Sequence, residues 1–370
     1  MFLKAFAAPA FLILSCCSFA AFGQPLSTYV NLQNQVMVWV DGVIRKVDYL
    51  QPIEVKVGRS AIPYIDNSRS FKVYYGGSVR TLNQGITNEY NVSDNLVSYL
   101  NARSLNVFDH GKTKNLTGIC EQYYLGDSVL LFLDGVRREW KLYYNGEVYP
   151  IESFLAADAI NTTEGSGNAV KVSDNIAAYV NYANQFRIFY QGQIIAQEEY
   201  MIQGFDVGRN TVAYLNANRE FYVFHKGETI KVEEFAPTRY RAGDDLVAFQ
   251  SNDGYFKIFY NDSVYRIGFF TPNNLRVVDN IVCYQDPTGY MKVFYKGQIY
   301  TLESYFPENL EIKYHSLAYV NRANVLRMFS EGELYDVTTA SVERWWLHYD
   351  VLQYQIGQNI FRIFYRGVEY

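Results

Sequence analysis

The sequence has few cysteines and few charged residues, and each shortage narrows the classes of protein that it can represent. The four cysteines are Cys16, Cys17, Cys120 and Cys283. The last two occupy different positions of the repeat described below, so a disulfide framework is not expected. Charged residues form 19% of the 370, with 33 basic against 38 acidic side chains. We therefore expect no nucleic-acid partner, because neutralising phosphates requires a basic surface.

The sequence also lacks an apolar run of the roughly 18 residues that a membrane span requires. The first 23 residues are predicted to be a signal peptide, since Lys4 precedes an apolar stretch and small residues lead to a cleavage site after Gly23. We expect residues 24–370 to form one domain that is secreted, periplasmic or at the cell surface. A lipoprotein anchored at Cys16 is the alternative, because the preceding Ile13-Leu14-Ser15 loosely resembles a lipobox.

Common catalytic motifs are missing as well. The sequence contains no nucleophile elbow, Walker loop, HExxH motif or dinucleotide fingerprint. Its four histidines, His110, His225, His315 and His348, occupy different repeat positions and show no metal-ligand spacing. We expect no cofactor and no metal site, and an enzyme is the less favoured interpretation.

What the sequence does contain is an internal repeat of about 35 residues. Hairpin glycines recur every 34 or 35 residues, apart from one gap of 46, and Asp262 once takes the place of glycine. The positions are Gly42, Gly77, Gly111, Gly146, Gly192, Gly227, Asp262, Gly297, Gly332 and Gly367. Pairs such as Asp41-Gly42 and Lys296-Gly297 are typical of two-residue hairpin turns that need positive φ. Ten repeat units result.

Two columns of aromatic residues follow the same repeat. One column, three residues before each glycine position, contains Trp39, Tyr74, Phe108, Tyr143, Phe189, Phe224, Phe259, Phe294, Phe329 and Phe364. The other contains Tyr29, Tyr64, Tyr99, Phe132, Tyr179, Tyr214, Phe249, Tyr284, Tyr319 and Tyr354. Aromatic side chains favour strands, so both columns are predicted to be packing positions within a β structure.

Each unit contains four short stretches of strand composition, separated by turns. In residues 246–249 and 256–260, large apolar side chains point to both faces of the predicted strands, so both faces must be covered. Neighbouring blades of a β-propeller provide such cover. Over residues 26–370 the chain resembles β-propeller repeat proteins. The resemblance implies an all-β fold of ten four-stranded meanders and leaves the function open.

The arrangement of the ten units has three possible forms. One ring is favoured, and an open β-solenoid or two smaller propellers are the alternatives, the latter because the longest gap separates the fourth and fifth units. The first unit begins at its second strand near Ser27, and the tenth ends as its fourth strand starts at Tyr370. The two termini are therefore predicted to complete one shared blade.

Candidate binding residues lie where the repeat is interrupted and at tyrosines outside the two columns. The insertion after the fourth unit, residues 158–168, supplies Asn161, Thr162, Thr163, Glu164 and Asn168. Loops on rigid scaffolds often carry binding residues. Tyr182, Tyr255 and Tyr290 lie at or beside predicted hairpin tips, where their rings can stack on sugars or peptide groups.

The repetition favours a non-enzymatic binding or scaffold protein that recognises a protein or a glycan, because ten similar units build a broad surface. The alternative is a carbohydrate-active hydrolase or lyase that uses acidic residues near a central channel. A purely structural part of a surface assembly is a third class.

Overall fold

The computed structural model describes residues 25–156, 160–162, 165–167, 169–358 and 360–370. These residues form antiparallel sheets in which each strand pairs with the next along the chain. Ten of the sheets correspond to the ten sequence repeats, and we call them blades 1 to 10. The described part of the chain holds no helix with the length and apolarity that crossing a membrane would require.

The strands of the first four blades are β1–β15. Blade 1 contains β1 to β3, which are Leu26–Val30, Val36–Val40 and Val43–Asp48. Blade 2 contains β4 to β7, which are Glu54–Val55, Ala61–Ile65, Phe71–Tyr75 and Ser78–Asn83. Blade 3 contains β8 to β11, which are Glu89–Val92, Leu96–Asn101, Ser104–Asp109 and Lys112–Thr117. Blade 4 contains β12 to β15, which are Cys120–Leu125, Val129–Asp134, Glu139–Tyr144 and Glu147–Glu152.

A short hairpin and three further blades follow. The hairpin pairs β16 with β17, which are Ile160–Thr162 and Gly165–Gly167. Blade 5 contains β18 to β21, which are Val170–Val172, Ile176–Val180, Phe186–Tyr190 and Gln193–Glu198. Blade 6 contains β22 to β25, which are Gly204–Gly208, Thr211–Leu215, Phe221–His225 and Glu228–Glu233. Blade 7 contains β26 to β29, which are Arg239–Gly243, Leu246–Gln250, Phe256–Tyr260 and Ser263–Gly268.

The last three blades complete the order. Blade 8 contains β30 to β33, which are Asn273–Val278, Ile281–Gln285, Met291–Tyr295 and Gln298–Glu303. Blade 9 contains β34 to β37, which are Leu310–Lys313, Ser316–Val320, Leu326–Ser330 and Glu333–Thr338. Blade 10 contains β38 to β41, which are Val342–His348, Val351–Ile356, Ile360–Tyr365 and Val368–Glu369.

The blades form one ring, which confirms the favoured arrangement. First strands of successive blades contact one another, as β22, β26 and β30 do, so these strands lie innermost and surround the axis. Blade 1 in turn packs against blade 10. The open solenoid and the pair of smaller propellers are therefore wrong.

The core lies between adjacent blades, where the two aromatic columns meet. All ten members of the first column are buried, and so are nine of the ten in the second. The exception is Tyr29, which is half-buried at the contact between blades 1 and 10. Each apolar cluster combines side chains of two neighbouring blades, such as Phe186 of blade 5 with Phe205 of blade 6. This sharing explains why the strands are apolar on both faces.

The predicted blade shared by the two termini does not form. Tyr370 exchanges both of its backbone hydrogen bonds with Ile363, so the fourth strand of blade 10 comes from the C-terminus itself. The described strands of blade 1 are β1 to β3 alone. Side chains close the ring instead. Trp39 of blade 1 packs on Val351 of blade 10, and its ring centroid lies 5.3 Å from that of Tyr370. We call this contact between blades 1 and 10 the seam.

The hairpin turn at Gly297 allows a direct test of the repeat assignment. Gly297 has a φ of +79°, and a Cβ added there would lie 3.3 Å from the Tyr265 hydroxyl. We expect Gly297→Val to lower the free energy of unfolding by about 1–3 kcal/mol, because a β-branched residue is strained at positive φ. The control is Gly118→Val, since Gly118 has no positive φ and no atom within 4 Å of the added Cβ. Equal melting curves for the two variants would contradict the assigned turn.

Candidate functional site

The described residues of the insertion after blade 4, 160–162 and 165–167, form a short β-hairpin. Asn161 and Thr162 lie on β16 and pair with Ser166 and Gly165 of β17. β16 also approaches β22, the inner strand of blade 6, so the hairpin reaches towards the channel. The candidates Thr163, Glu164 and Asn168 fall outside the described residues.

The three candidate tyrosines lie on one face of the ring. In an antiparallel meander, the hairpins between second and third strands lie on the same face as the connections between blades. Tyr182 extends from such a hairpin and contacts Phe154 of a connection, with ring centroids 6.3 Å apart. Tyr255 contacts Phe269 in the same way at 5.1 Å. Tyr290 is exposed at the equivalent hairpin of blade 8.

This face carries far more apolar surface than the three tyrosines suggested. Phe154, Tyr182, Tyr200, Phe235 and Phe269 are each between 64% and 77% exposed. Every large apolar side chain of the described residues that is at least 56% exposed lies in these hairpins or connections. The others are Leu32, Tyr49, Leu50, Ile53, Ile86 and Val136. We call this surface the aromatic face.

The connection residues were missed by the sequence reasoning, although a signal for them exists. Leu50, Phe154, Tyr200 and Phe235 all lie eight residues after a hairpin glycine. That position lies in the connection after the fourth strand. Side chains alternate between two faces only within a strand, so this rule does not show whether an apolar residue in the connection is buried. A column of apolar residues in predicted loops is the pattern that would have identified this face.

The opposite face ends in a ring of polar side chains around the axis, which we call the axial ring. Its members occupy the turn between the first and second strands of blades 2 to 10. They are Arg59, Asp94, Asp127, Asp174, Arg209, Asp244, Asp279, Tyr314 and Tyr349. Backbone groups link neighbouring turns: Asp127 Oδ1 accepts from the Asp94 N–H at 3.1 Å, and Asp244 Oδ1 accepts from the Arg209 N–H at 3.1 Å.

Arg209 lies among the carboxylates of the axial ring. Its Nη2 is 2.5 Å from Asp174, 3.2 Å from Asp127 and 3.3 Å from Asp94. Its Nε is 3.9 Å from Asp244. One guanidinium thus connects turns from four other blades and opposes the repulsion between their aspartates.

Burial and mutual repulsion change the acidity of these groups. Burial, with the nearby charges of Asp174 and Asp94, holds the pKa of Asp127 well above its usual range. Burial, with the charges of Asp174 and Asp279, does the same for the pKa of Asp244. Burial disfavours the charge on Arg209, but the surrounding aspartates outweigh this effect and raise its pKa. The arginine therefore stays charged while some of the carboxyls retain protons at higher pH than usual.

Three of the carboxylates are close enough to hold a metal ion, an arrangement that the sequence did not suggest. Oxygens of Asp174, Asp244 and Asp279 lie within 4.8 Å of one another. Arg209 already contributes a positive charge to Asp174 and Asp244. The guanidinium therefore opposes the repulsion between Asp174 and Asp244, while Asp279 Oδ2 accepts the Tyr314 N–H at 2.5 Å. Their shared repeat position was visible in the sequence, but aspartates in turns are usually local hydrogen-bond acceptors.

Comparisons with solved structures show low similarity. The computationally designed protein Ika8 has 15% identity and a TM-score of 0.33, covering 75% of this chain and 96% of that chain. Hsv2p of Kluyveromyces lactis has 11% identity and a TM-score of 0.31, covering 68% and 97%. PorZ, a surface component of the type-IX secretion system of Porphyromonas gingivalis, has 9% identity and a TM-score of 0.26, covering 95% and 59%. These similarities carry no information on function.

No curated protein matches the sequence. The family model of the 10-bladed beta propeller domain matches residues 20–370, which agrees with the ten blades and their closure at the seam. The chain therefore belongs to the family of 10-bladed β-propeller domains.

Proposed function

We propose that this propeller is a non-enzymatic binding or scaffold protein that works outside the cytoplasm and recognises its main partner, a protein, through the aromatic face. The observation that carries the proposal is the concentration of strongly exposed apolar side chains on one face. Large exposed apolar patches on a soluble protein commonly mark interaction sites. The predicted signal peptide supports a location in the periplasm, at the cell surface or in the medium, and a lipid anchor at Cys16 is the alternative form of the same proposal.

The chemistry of the aromatic face favours a protein over a glycan. Leu50, Ile53 and Ile86 are exposed on the same face of the ring as the aromatic side chains. Branched aliphatic side chains do not offer the flat rings on which sugars stack, but they pack well against apolar side chains of a partner. Protein interfaces combine an apolar, aromatic-rich centre with a polar rim. Cations next to the rings, such as Arg322 at 4.0 Å from the Tyr305 centroid and Arg266 at 4.3 Å from Tyr255, would contribute to such a rim.

A triple variant of the aromatic face tests the proposal. Phe154→Ser, Tyr200→Ser and Phe235→Ser together remove three strongly exposed rings and should leave the melting temperature nearly unchanged, because none of the three is buried. We expect the variant to lose the partner that the wild-type protein captures by crosslinking in envelope and culture-supernatant extracts, as interface hot spots are enriched in aromatic residues.

The matched control places the same number of serines on exposed positions of the outer strands. Ile194→Ser, Val264→Ser and Ile299→Ser remove side chains that are 44–47% exposed, two residues after the hairpin turn positions Gly192, Asp262 and Gly297, on the opposite side of the blades. This control should capture the same partner as the wild type. Equal capture by both variants would contradict the role of the aromatic face.

A carbohydrate-active hydrolase or lyase is the second candidate, and the axial ring is the observation that favours it. Five aspartates converge near the axis. The pKa values of Asp127 and Asp244 are raised, and Asp174 forms an ion pair with Arg209. Pairs of carboxyl groups with different pKa values are the usual acid and base of glycosidases. Turnover of a polysaccharide that Asp127→Asn or Asp174→Asn abolishes, in a variant with unchanged melting temperature, would replace the binding proposal.

A further inference from the structure

A cavity of about 670 Å³ opens at the seam between blades 1 and 10. Its walls come from β1 and the first hairpin of blade 1, from the first three strands of blade 10, and from the start of blade 2. The volume is within the range of about 300–1,000 Å³ that small-molecule sites occupy. We call this cavity the seam pocket.

The aromatic side of the seam pocket departs from the repeat. Trp346 occupies a position on the inner strand that is Lys, Asn, Asp, Arg or Glu in seven other blades and Tyr124 in one. Tyr29 is the one member of its column that is not buried. Phe361 lies between them, with its ring centroid 5.2 Å from Tyr29 and 6.5 Å from Trp346. Three adjacent rings therefore line one wall, at a position of the inner strand where seven of the other blades have a polar side chain.

The other walls of the seam pocket carry amide side chains. Gln353 is 3% exposed, and its Oε1 accepts the Ser27 hydroxyl at 2.5 Å. Gln353 lines the pocket, and no group of the described residues accepts a hydrogen bond from its NH₂ group. Gln355 and Gln51 also line it. Amides offer both donors and acceptors, which suits hydroxyl groups that act as both.

The charges around the seam pocket balance. Glu343 and Arg344 contribute one negative and one positive side chain. His348 also lines the pocket. Burial and the nearby charge of Lys313 lower the pKa of its imidazole to about 4. The imidazole is therefore neutral at physiological pH, and the lining has no net charge to attract an ion.

From these features we infer that the seam pocket binds a neutral saccharide of one or two rings. The apolar C–H face of a pyranose would stack on Trp346, and its hydroxyl groups would bond to the amides of Gln353, Gln355 and Gln51. Aromatic faces combined with a few placed polar groups give orientation and specificity in small-ligand sites. The seam pocket shares Leu32 with the aromatic face, but the saccharide inference does not depend on the protein-binding role proposed above.

The test is a titration of the full chain with neutral disaccharides, namely cellobiose, maltose, chitobiose and mannobiose, followed by calorimetry and tryptophan fluorescence. We expect at least one to bind and to change the fluorescence. Trp346→Ala should weaken that binding by about tenfold or more, as truncation of a central aromatic contact does. Gln51→Ala changes an exposed residue of the lining, so it should weaken disaccharide binding measurably without changing the melting temperature. This second variant tests the inference if Trp346→Ala does not fold.

Tyr200→Ala is the control, because Tyr200 belongs to the aromatic face and does not line the seam pocket. It should bind the disaccharide as the wild type does. The inference is overturned if none of the four disaccharides binds, if both pocket variants bind as the wild type, or if digalacturonate binds more tightly than every neutral sugar. None of these results bears on the capture experiment with the aromatic-face variants, so the two proposals can fail separately.

Discussion

Arg209→Met is expected to lower the free energy of unfolding by about 3–5 kcal/mol near neutral pH, because it removes one partner of a buried charge network. The guanidinium contacts Asp94, Asp127 and Asp174 within 3.3 Å, and its side chain is 25% exposed. Without it only Arg59, 3.7 Å from Asp94, would oppose the repulsion among the aspartates of the axial ring. Chemical denaturation of the variant and the wild type measures the effect.

The loss in Arg209→Met should shrink as the pH is lowered. Asp127 and Asp244 already have folded-state pKa values above the unfolded value of about 3.9. A carboxyl with a raised pKa contributes stability that is fully present below the unfolded pKa and is lost as the pH rises through the folded pKa. Removing the arginine raises these pKa values further, so the variant loses more stability on the alkaline side. Below the unfolded pKa of about 3.9, where Asp127 and Asp244 hold protons in both proteins, the two unfolding free energies should approach each other.

Arg137→Met is the control for this prediction. Arg137 lies exposed in the long hairpin of blade 4, and substitutions of exposed residues usually change stability by less than about 0.5 kcal/mol. The control should show no dependence on pH beyond that of the wild type. A pH-independent loss in Arg209→Met would mean that packing, and not charge, explains the role of the arginine.

Deletion of blade 10, from Glu343 to the C-terminus, should prevent stable folding. The deletion exposes Trp39 of blade 1, which packs on Val351 and Ile363. It also exposes the face of blade 9 at Leu326 and Met328. In an open array the loss of one end unit removes one interface, whereas here two apolar faces lose their cover at once. We expect the truncated chain to aggregate in size-exclusion chromatography, because exposed apolar patches of this kind drive association.

The control for the truncation is a deletion that leaves every blade in place. Replacement of residues 158–167 by a short Gly-Ser link shortens the connection between blades 4 and 5, and loop length changes the closure entropy only slowly. This variant should remain monomeric with one cooperative melting transition. A soluble monomer of the truncated chain that melts only slightly below the intact protein would show that the seam contributes little to the fold.

The fold could be predicted from local features because the repeat places them in register. Positive φ at Gly297 and the burial of Phe294 three residues earlier each follow from the sequence of one unit. The closure could not be predicted in the same way. The sequence suggested a shared blade at the termini, but Tyr370 pairs within blade 10. Its ring packs on Trp39 of blade 1 as the Tyr300 ring of blade 8 packs on Phe329 of blade 9, so the seam repeats the contact found between other blades. The sequence of one unit predicts this contact but does not show that the last unit makes it with the first.

The candidate sites were predicted only in part, for a related reason. Tyr182 and Tyr255 could be assigned to hairpin tips from the sequence, yet their partners Phe154 and Phe269 lie in connections that strand periodicity does not cover. The contact between Arg209 and Asp94 joins residues that are 115 positions apart. Such a contact depends on how many blades close the ring, which is a property of the whole chain and of no single unit.

The axial ring also limits how this propeller can change its blade number. Propellers of repeated units grow or shrink when a gene segment encoding one blade is duplicated or lost. Here a copy of blade 3, 4, 5, 7 or 8 would add an aspartate to a ring in which five aspartates already face two arginines, Arg59 and Arg209. Only a copy of blade 2 or 6 would bring a cation with it. The gain of a blade is therefore limited by charge as well as by geometry, because five of the ten units would add a further carboxylate to the axial ring.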